Sequence, residues 1–221
     1  MSNINVELLD FMGDDLDVVD AARVSFNKTS EWDDDGDYLS LKPADESLIK
    51  YLASHNHWSP FSHCYVKFHV KAPIFVARQL QKHTVGLAWN EVSRRYVDSE
   101  PEFYRPDGGW RLRADNVKQG SSDEIHEDST MFNGNLEHLI GFALGSYEGL
   151  LLRGVCPEQA RMVLPQSMMT EWIWSGSLFA FARVCRLRLD PHSQLETRRV
   201  AEQIADLMEN QWPTSWKALM E

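Results

Sequence analysis

His63-Cys-Tyr-Val-Lys-Phe-His-Val-Lys71 alternates without a slip: Cys64, Val66, Phe68 and Val70 point one way, and Tyr65, Lys67, His69 and Lys71 the other. A period of two places every second side chain on one face, so the stretch reads as a half-buried strand with Cys64 in the core. Pro73 follows, and proline suits a first helical position because its missing N–H would have no partner there. A helix is expected from Pro73 to about His83, with Gly86 breaking it. A strand running directly into a helix is the unit from which the rest of the chain is read.

Upstream, Val6–Leu9 reads as a strand, Gly13–Asp15 as a turn, and Leu16, Val19 and Ala22 as one face of a helix. Asp45 is expected to cap a second helix carrying Leu48, Ile49 and Leu52. Downstream, residues 101–128 are polar, contain Gly108-Gly109 and an acidic run, and read as an exposed excursion. Leu136, Leu139, Ile140, Ala143, Leu144 and Tyr147 then give an amphipathic helix that packs on the core and stops at Gly154. Pro157 opens a short helix, Met168–Trp174 reads as a strand, and Leu178–Arg186 as a helix. Asp190 and Pro191 are expected to cap and start a last helix reaching about Asn210, and Trp212 and Trp216 suggest that the tail docks on something. Strands and helices alternate irregularly with few βαβ units, which indicates the α+β class.

Composition narrows the function classes. A chain of 221 residues suits one domain that buries ~70% of its unfolded surface. The formal net charge of −11 disfavours a nucleic-acid groove, which needs a basic field. No apolar run is long enough to span a membrane, and the first residues do not read as a signal peptide. Cys64, Cys156 and Cys185 are odd in number and widely spaced, which fits reduced thiols and a cytoplasmic, soluble protein. Glu31–Asp37 holds five carboxylates, but without EF-hand spacing it reads as a solvated loop. His55, His57 and His63 lack the helical spacing of a zinc site, so no metal is expected.

Within this acidic chain, residues 77–96 form a cationic island. Arg78, Lys82, His83, Arg94 and Arg95 surround Glu91, Asn90 and Ser93. Guanidinium, carboxylate, amide and hydroxyl together can read a phosphate, a sugar and a base edge. On the expected helix Arg78 and Lys82 are i, i+4 neighbours, as are Gln79 and His83. Trp89 and Tyr96 interrupt the polar run where a purely solvated face would not place them.

Four separated motifs, in order, resemble the flavin-dependent thymidylate synthases. Asn90-Glu-Val-Ser-Arg-Arg-Tyr96 is similar to the end of the family signature; its usual Arg-His-Arg start is Lys82-His83-Thr84 here, with eight residues rather than seven before Ser93. His57-Trp-Ser-Pro-Phe-Ser-His63 resembles a flavin-contacting segment, with Ser62 where glutamate is common. Glu158–Pro165 resembles the segment whose arginine, here Arg161, holds the substrate phosphate. Leu187–Gln194 resembles the segment whose arginine, here Arg188, faces the uracil ring.

The resemblance implies an α+β single domain, with a mixed, largely antiparallel sheet flanked by helices. It implies dTMP formation from dUMP with methylenetetrahydrofolate as one-carbon donor, NADPH as reductant and FAD as cofactor. Substrate binding would fall to Gln79, Glu91, Val92, Ser93, Arg94, Arg95, Arg161 and Arg188. FAD contacts would fall to His57, Ser59, Lys82, His83, Thr84, Asn90, Arg183 and His192. Arg188, Ser93 and Glu91 would be closest to the chemistry, Ser93 as a binder because no Ser-His-Asp arrangement is visible. The implied assembly is a homotetramer with sites built from several subunits. No glycine-rich dinucleotide fingerprint is present, so FAD would not be held in Rossmann fashion. Other readings stay open: the same fold acting on dCMP or a hydroxymethylated product, a nucleotide-binding protein without turnover, and a cysteine-dependent thymidylate synthase using Cys156. By position alone Cys185, near Arg183 and Arg186, is also a candidate for a reactive thiol.

Overall fold

The computed structural model describes residues 4–36, 38–97, 99–115 and 120–221; Asp37 of the acidic loop and residues 116–119 of the polar excursion lie outside the described residues. In chain order come β1 (Asn5–Met12), α1 (Asp15–Arg23), the short strands β2 (Asp33–Asp34) and β3 (Leu39–Ser40), α2 (Pro43–Ser54), β4 (Tyr65–Pro73), α3 (Ile74–Leu80) and β5 (Leu87–Glu91). They are followed by β6 (Arg111–Arg113), β7 (Ser121–Ile125), α4 (Ser129–Leu152), α5 (Pro157–Ala160), β8 (Met169–Ser177), α6 (Leu178–Arg188), α7 (Leu195–Gln211) and α8 (Pro213–Met220). Strands β1, β4, β8 and β5 lie side by side in that order, antiparallel at every pairing, so the α+β expectation holds.

The alternation in β4 sets the core. Val66, Phe68, Val70 and Ala72 are buried, and Cys64 with them. Phe68 pairs with Trp174 and Val70 with Trp172, so both tryptophans share the buried face. Phe181 of α6 meets Phe68 and Trp174 edge-on, with ring centroids 5.1 Å from each. Burial of each large side chain contributes about 1.5–3 kcal/mol, so this aromatic layer anchors α6 to the sheet. The other face of β4 carries Lys67, His69 and Lys71, half-exposed, with Lys71 paired to Glu102 at 2.8 Å and His69 to Glu171 at 3.0 Å. α8 closes the core from the far end of the chain: Trp212 and Trp216 are buried, and Asp15 accepts from the backbone of Thr214 and Ser215, both at 2.9 Å. The tail therefore docks on its own domain.

Several local expectations change. α3 ends at Leu80, its last buried residue, because the chain must turn back to pair β5 with β8; Lys82 and His83 lie beyond the helix, and the i, i+4 pairs with Arg78 and Gln79 do not form on it. Asp45 does not cap α2, which starts at Pro43; it is buried and accepts from Arg23 and Ser30. Arg23 is thereby a structural residue. Asp190 and Pro191 form a turn and α7 starts only at Leu195, since Asp190 Oδ1 accepts from the backbone and ring of His192 instead. The excursion at 101–128 is exposed only in part: Phe103 and Tyr104 are buried, and β6 pairs with β7. α4 buries Ile140, Ala143 and Tyr147 but leaves Leu139, Phe142 and Leu152 exposed, so core packing covers only one side of it.

Candidate active site

β5 is the edge strand that carries the cationic island. Its register puts Trp89 opposite Trp174 and Glu91 opposite Trp172. Trp89 stacks on Trp172, with centroids 4.3 Å apart, which explains an aromatic residue in a polar run. Tyr96, by contrast, is exposed. Glu91 is held from both sides: Thr170 Oγ1 donates to Oε1 at 2.8 Å and Trp89 Nε1 to Oε2 at 3.3 Å. Asn90 takes the opposite face of the strand, beside Ile173. Where the strand ends, Val92 N donates to Glu171 O, and the chain turns.

A cavity of about 550 Å³ opens at this end, lined by Glu91, Val92, Arg94 and, from the turn after α5, Arg161. Ser93 and Arg95 do not line it: Arg95 Nε donates to Ser93 Oγ at 3.1 Å, and its guanidinium lies over the Tyr96 ring. The Arg94 guanidinium donates to Ser99 O, and Arg161 Nε to Glu158 O at 3.3 Å. Glu100, Glu102, Glu158 and Glu171 also line the space, with Lys71 neutralising two of them. One chain therefore contributes no net cationic pocket here, although the sequence island is cationic.

A second cavity, about 1080 Å³, is lined by Gln79, Arg186, Arg188, Asp190, His192 and Gln194 among others, and among the described residues it shares none with the first. Here the polar groups are bonded to one another. Arg188 Nε donates to His83 Nε2 at 3.0 Å and Nη2 to Gln79 O at 3.3 Å. Gln79 Nε2 donates to Gln194 Oε1 at 2.5 Å, and Gln79 Oε1 accepts from Thr197 Oγ1 at 3.2 Å. Burial, then the cations Arg188 and Arg183, push His83 below the ordinary histidine range. A neutral ring that accepts at Nε2 carries its proton on Nδ1. Burial also lowers Arg188 from the usual guanidinium value, but an arginine stays charged in proteins.

The expected flavin contacts are more dispersed. Arg183 lines a smaller cavity of about 240 Å³ with Trp58, Val85, Gly86 and Phe179. Trp58 and Phe179 lie 6.3 Å apart there, and a Cβ on Gly86, whose φ is +75°, would come within 3.2 Å of Ala180 Cβ. An aromatic wall, close-packed backbone and a cation suit a flat ring and a phosphate, the two features of a flavin nucleotide. Lys82, Thr84, His57 and Ser59 are exposed nearby in sequence, and His192 lies in the Arg188 cavity. Among the described residues no group of three or more His, Cys, Asp or Glu could hold a metal ion, and no helix is long and apolar enough to cross a membrane.

The cysteines separate clearly. Burial, with Asp17 and Asp14 nearby, pushes Cys64 up to about 12. Cys185 is fully buried and raised by burial, so its neighbours Arg183 and Arg186 do not make it reactive. Cys156 is exposed at the start of α5. No cysteine lines either large cavity.

Sequence reading missed Thr170 and Thr197, and gave Trp58 and Gln194, both inside motifs it singled out, no role. Thr170 was traceable, since it alternates with Trp172 and Trp174 on one strand. Thr197 has no local signal, because its partner Gln79 lies far away in the chain.

Residues 7–214 match the family model described as thymidylate synthase complementing protein. A flavin-dependent thymidylate synthase of Thermus thermophilus is 39% identical over 216 residues, 98% of this chain and 75% of that protein. That of Kosmotoga olearia is 36% identical over 218 residues, 97% of this chain and 89% of that one. Among solved structures, the UMP/dUMP methylase PolB from Streptomyces cacaoi, bound with 5-Br dUMP, superimposes with a TM-score of 0.85 at 32% identity, covering 98% of this chain and 94% of that one.

Proposed function

The chain belongs to the thymidylate synthase complementing protein family, that of the flavin-dependent thymidylate synthases, and we propose that it methylates dUMP at C5 to give dTMP. Methylenetetrahydrofolate would donate the carbon and NADPH the reducing equivalents. FAD would be held by Arg183, Lys82, His83, Thr84, His57, Ser59, Asn90 and His192, and when bound and reduced it supplies the hydride. The observation that carries the reading is the state of Arg188, which is fixed through Nε and one Nη and retains further N–H donors for a ligand in its cavity.

Those donors suit a uracil carbonyl oxygen. A hydrogen bond that strengthens as negative charge develops on the ring makes C5 a better nucleophile. His83 and Gln79 position this donor before substrate arrives, so little reorganisation is needed. Glu91, with one donor already on each oxygen, has lone pairs left for a sugar hydroxyl. Arg161, with Arg95 and Ser93, would clamp the phosphate, the Val92 and Arg94 segment placing it.

Two features support a homotetramer with shared sites. The Glu91 cavity and the Arg188 cavity share no lining residue, yet one nucleotide would need both. α4 also presents Met131, Leu139, Phe142 and Leu152 to solvent, Phe142 at 79% exposure. An exposed apolar face of this kind marks an association surface.

The test is direct. Protein reconstituted with FAD should show a bound-flavin visible spectrum and oxidise NADPH in a dUMP-dependent way, forming dTMP when the folate is present. UMP and dCMP as alternative substrates give the comparison arms. Colourless protein after FAD incubation, or no dTMP, overturns the reading; sedimentation of an active monomer overturns the shared site.

A further inference from the structure

Two ion pairs tie the base of the β6–β7 hairpin to α7, and they differ in kind. Arg199 Nη1 donates to Asp107 Oδ2 at 3.0 Å, and these side chains are 32% and 45% exposed. Arg111 Nη2 donates to both oxygens of Glu196, at 2.9 and 3.1 Å, and here the side chains are only 15% and 5% exposed. Arg111 Nε also donates to Ser121 Oγ at 2.7 Å, so one guanidinium joins β6, β7 and α7. Arg111, Gly120 and Ser121 line the Arg188 cavity. A Cβ on Gly120, whose φ is +96°, would lie 3.3 Å from His192 O. The base of the hairpin is therefore a close-packed wall of that cavity.

Glu196 lies in the first turn of α7, between the two residues that hold Gln79. Gln194 Oε1 accepts from Gln79 Nε2 at 2.5 Å, and Thr197 Oγ1 donates to Gln79 Oε1 at 3.2 Å. Gln79 O in turn accepts from Arg188 Nη2 at 3.3 Å. Gln194 is the N-cap residue, but its side chain makes no capping bond among the described residues. The positive end of the helix favours a carboxylate at Glu196, yet that attraction does not fix the rotation of the turn. A charge-assisted contact to both carboxylate oxygens does fix it. A buried ion pair adds little net stability over well-packed apolar groups, so the consequence of this one is geometric.

We propose that Arg111 is a positioning residue for the reaction: through Glu196 it fixes the first turn of α7, through that turn Gln79, and through Gln79 the guanidinium of Arg188. This role rests on the reading above, in which Arg188 faces the uracil ring. Gln194 and Thr197 sit on the same turn as Glu196, so a rotation of the turn moves both partners of Gln79 together. A donor that acts on developing charge must be in place before reaction, and a shift of about 1 Å set off far from the chemistry can cost ~100-fold in rate. The exposed Asp107–Arg199 pair ties the same two segments without flanking a partner of Gln79, and it has no such role.

The test uses the flavin-loaded full chain, with steady-state dTMP formation and calorimetric titration of dUMP. Arg111→Met should lower kcat about ten- to hundredfold and leave dUMP affinity within about threefold of parent. Arg111→Lys, which keeps a charge opposite Glu196, should recover most of the loss. Asp107→Ala should leave both quantities close to parent, since an exposed pair contributes little. In an Arg188→Ala background Arg111→Met should lower kcat by less than about twofold, because the group it positions is gone. If Arg111→Met fails to fold, Glu196→Gln replaces it, with an expected loss in kcat of about five- to tenfold at unchanged dUMP affinity. An unmoved kcat, an equal loss in both backgrounds, or an Asp107→Ala that matches Arg111→Met overturns the proposal. A fall in dUMP affinity as large as the fall in kcat also overturns it, by making Arg111 a binding group. Parent protein that forms no dTMP defeats the reading beneath; an active parent whose variants behave otherwise defeats the role of Arg111 alone.

Discussion

The Glu91 cavity and the Arg188 cavity are both lined by arginines, and they differ in what those arginines do before a ligand arrives. In the Arg188 cavity the guanidinium is clamped by His83 and Gln79, and Gln79 is clamped in turn by Gln194 and Thr197. Four elements or their ends, α3, the turn after it, α6 and the start of α7, are locked by one network. Among the described residues that line or flank the Glu91 cavity, Arg161 bonds within its own turn, Arg95 bonds Ser93 and lies over Tyr96, and the lining carboxylates outnumber the cations. One region is finished within a chain, and the other awaits a phosphate, a second subunit or both. Preorganised donors act on charge that develops during reaction; loosely held ones contribute mainly to binding. The two cavities should therefore respond differently to mutation.

The largest effect should come from the finished cavity. Arg188→Ala should lower dTMP formation at least ~100-fold, mainly in kcat, and Arg188→Lys should not restore it because lysine cannot bond His83 and Gln79 in a fixed fork. Steady-state kinetics with saturating dUMP decide this. A purely KM effect would erase the distinction between the cavities. Arg161→Ala comes next: loss of a charge-assisted contact costs about 1.5–3 kcal/mol, roughly ten- to a hundredfold in dUMP affinity. Calorimetric titration with dUMP reads it, and affinity equal to that of the parent refutes the phosphate assignment. The two variants together sharpen the comparison. If the cavities that serve one nucleotide come from different subunits, mixing the two proteins after subunit exchange should regain activity above that of either alone. No recovery in demonstrably mixed oligomers would place each site within one chain.

A smaller effect should follow pH. His83 is neutral in the fold, held below the ordinary 6.5 by burial and then by Arg188 and Arg183. Above pH 6.5 the ring is neutral folded or unfolded and the shift contributes nothing. As pH falls below that value the unfolded chain takes up the proton first, so stability is lost down to the lowered folded value. Urea midpoints measured from pH 8 to pH 5 should fall more for the parent than for His83→Asn. Parallel curves would show that the imidazole is not held neutral.

How much of this was legible beforehand depended on the range of the interaction. The β4 alternation and the α6 pattern are local, and both stand where the sequence placed them. Motif resemblance singled out Arg161 and Arg188, which the fold puts in separate cavities. The end of α3 was misplaced because residues 81–83 have no helix-breaking chemistry; the turn is imposed by pairing of β5 with β8, a contact between segments remote in the chain. Asp45 looked like a cap because a carboxylate near a helix start ordinarily is one, and only the fold brings Arg23 to it. That the Glu91 cavity carries no net positive charge was illegible for the same reason: Glu102, Glu158 and Glu171 lie outside the island in sequence and beside it in space.

The smallest effect should come from the cysteines, and it separates the two ways of making thymidylate. A cysteine mechanism needs an exposed thiol of lowered pKa facing the uracil. Burial excludes Cys64 and Cys185, whose thiols are pushed up instead. Cys156 is exposed but lines neither the Arg188 cavity nor the Glu91 cavity. Cys156→Ala should leave dUMP-dependent NADPH oxidation and dTMP formation close to parent. Cys185→Ala removes a buried sulfur packed between α6 and α7, where Sγ donates to Ala201 O at 3.7 Å. It should cost about 1–2 kcal/mol of stability and at most about tenfold in activity through looser packing. The double variant should behave as the sum of the two, since distant sites add. If Cys156→Ala abolished dTMP formation in protein that remained folded and flavin-loaded, a thiolate from outside both cavities would have to reach the ring. The contrast between a reacting cavity and a binding cavity would then be wrong in its choice of reacting group.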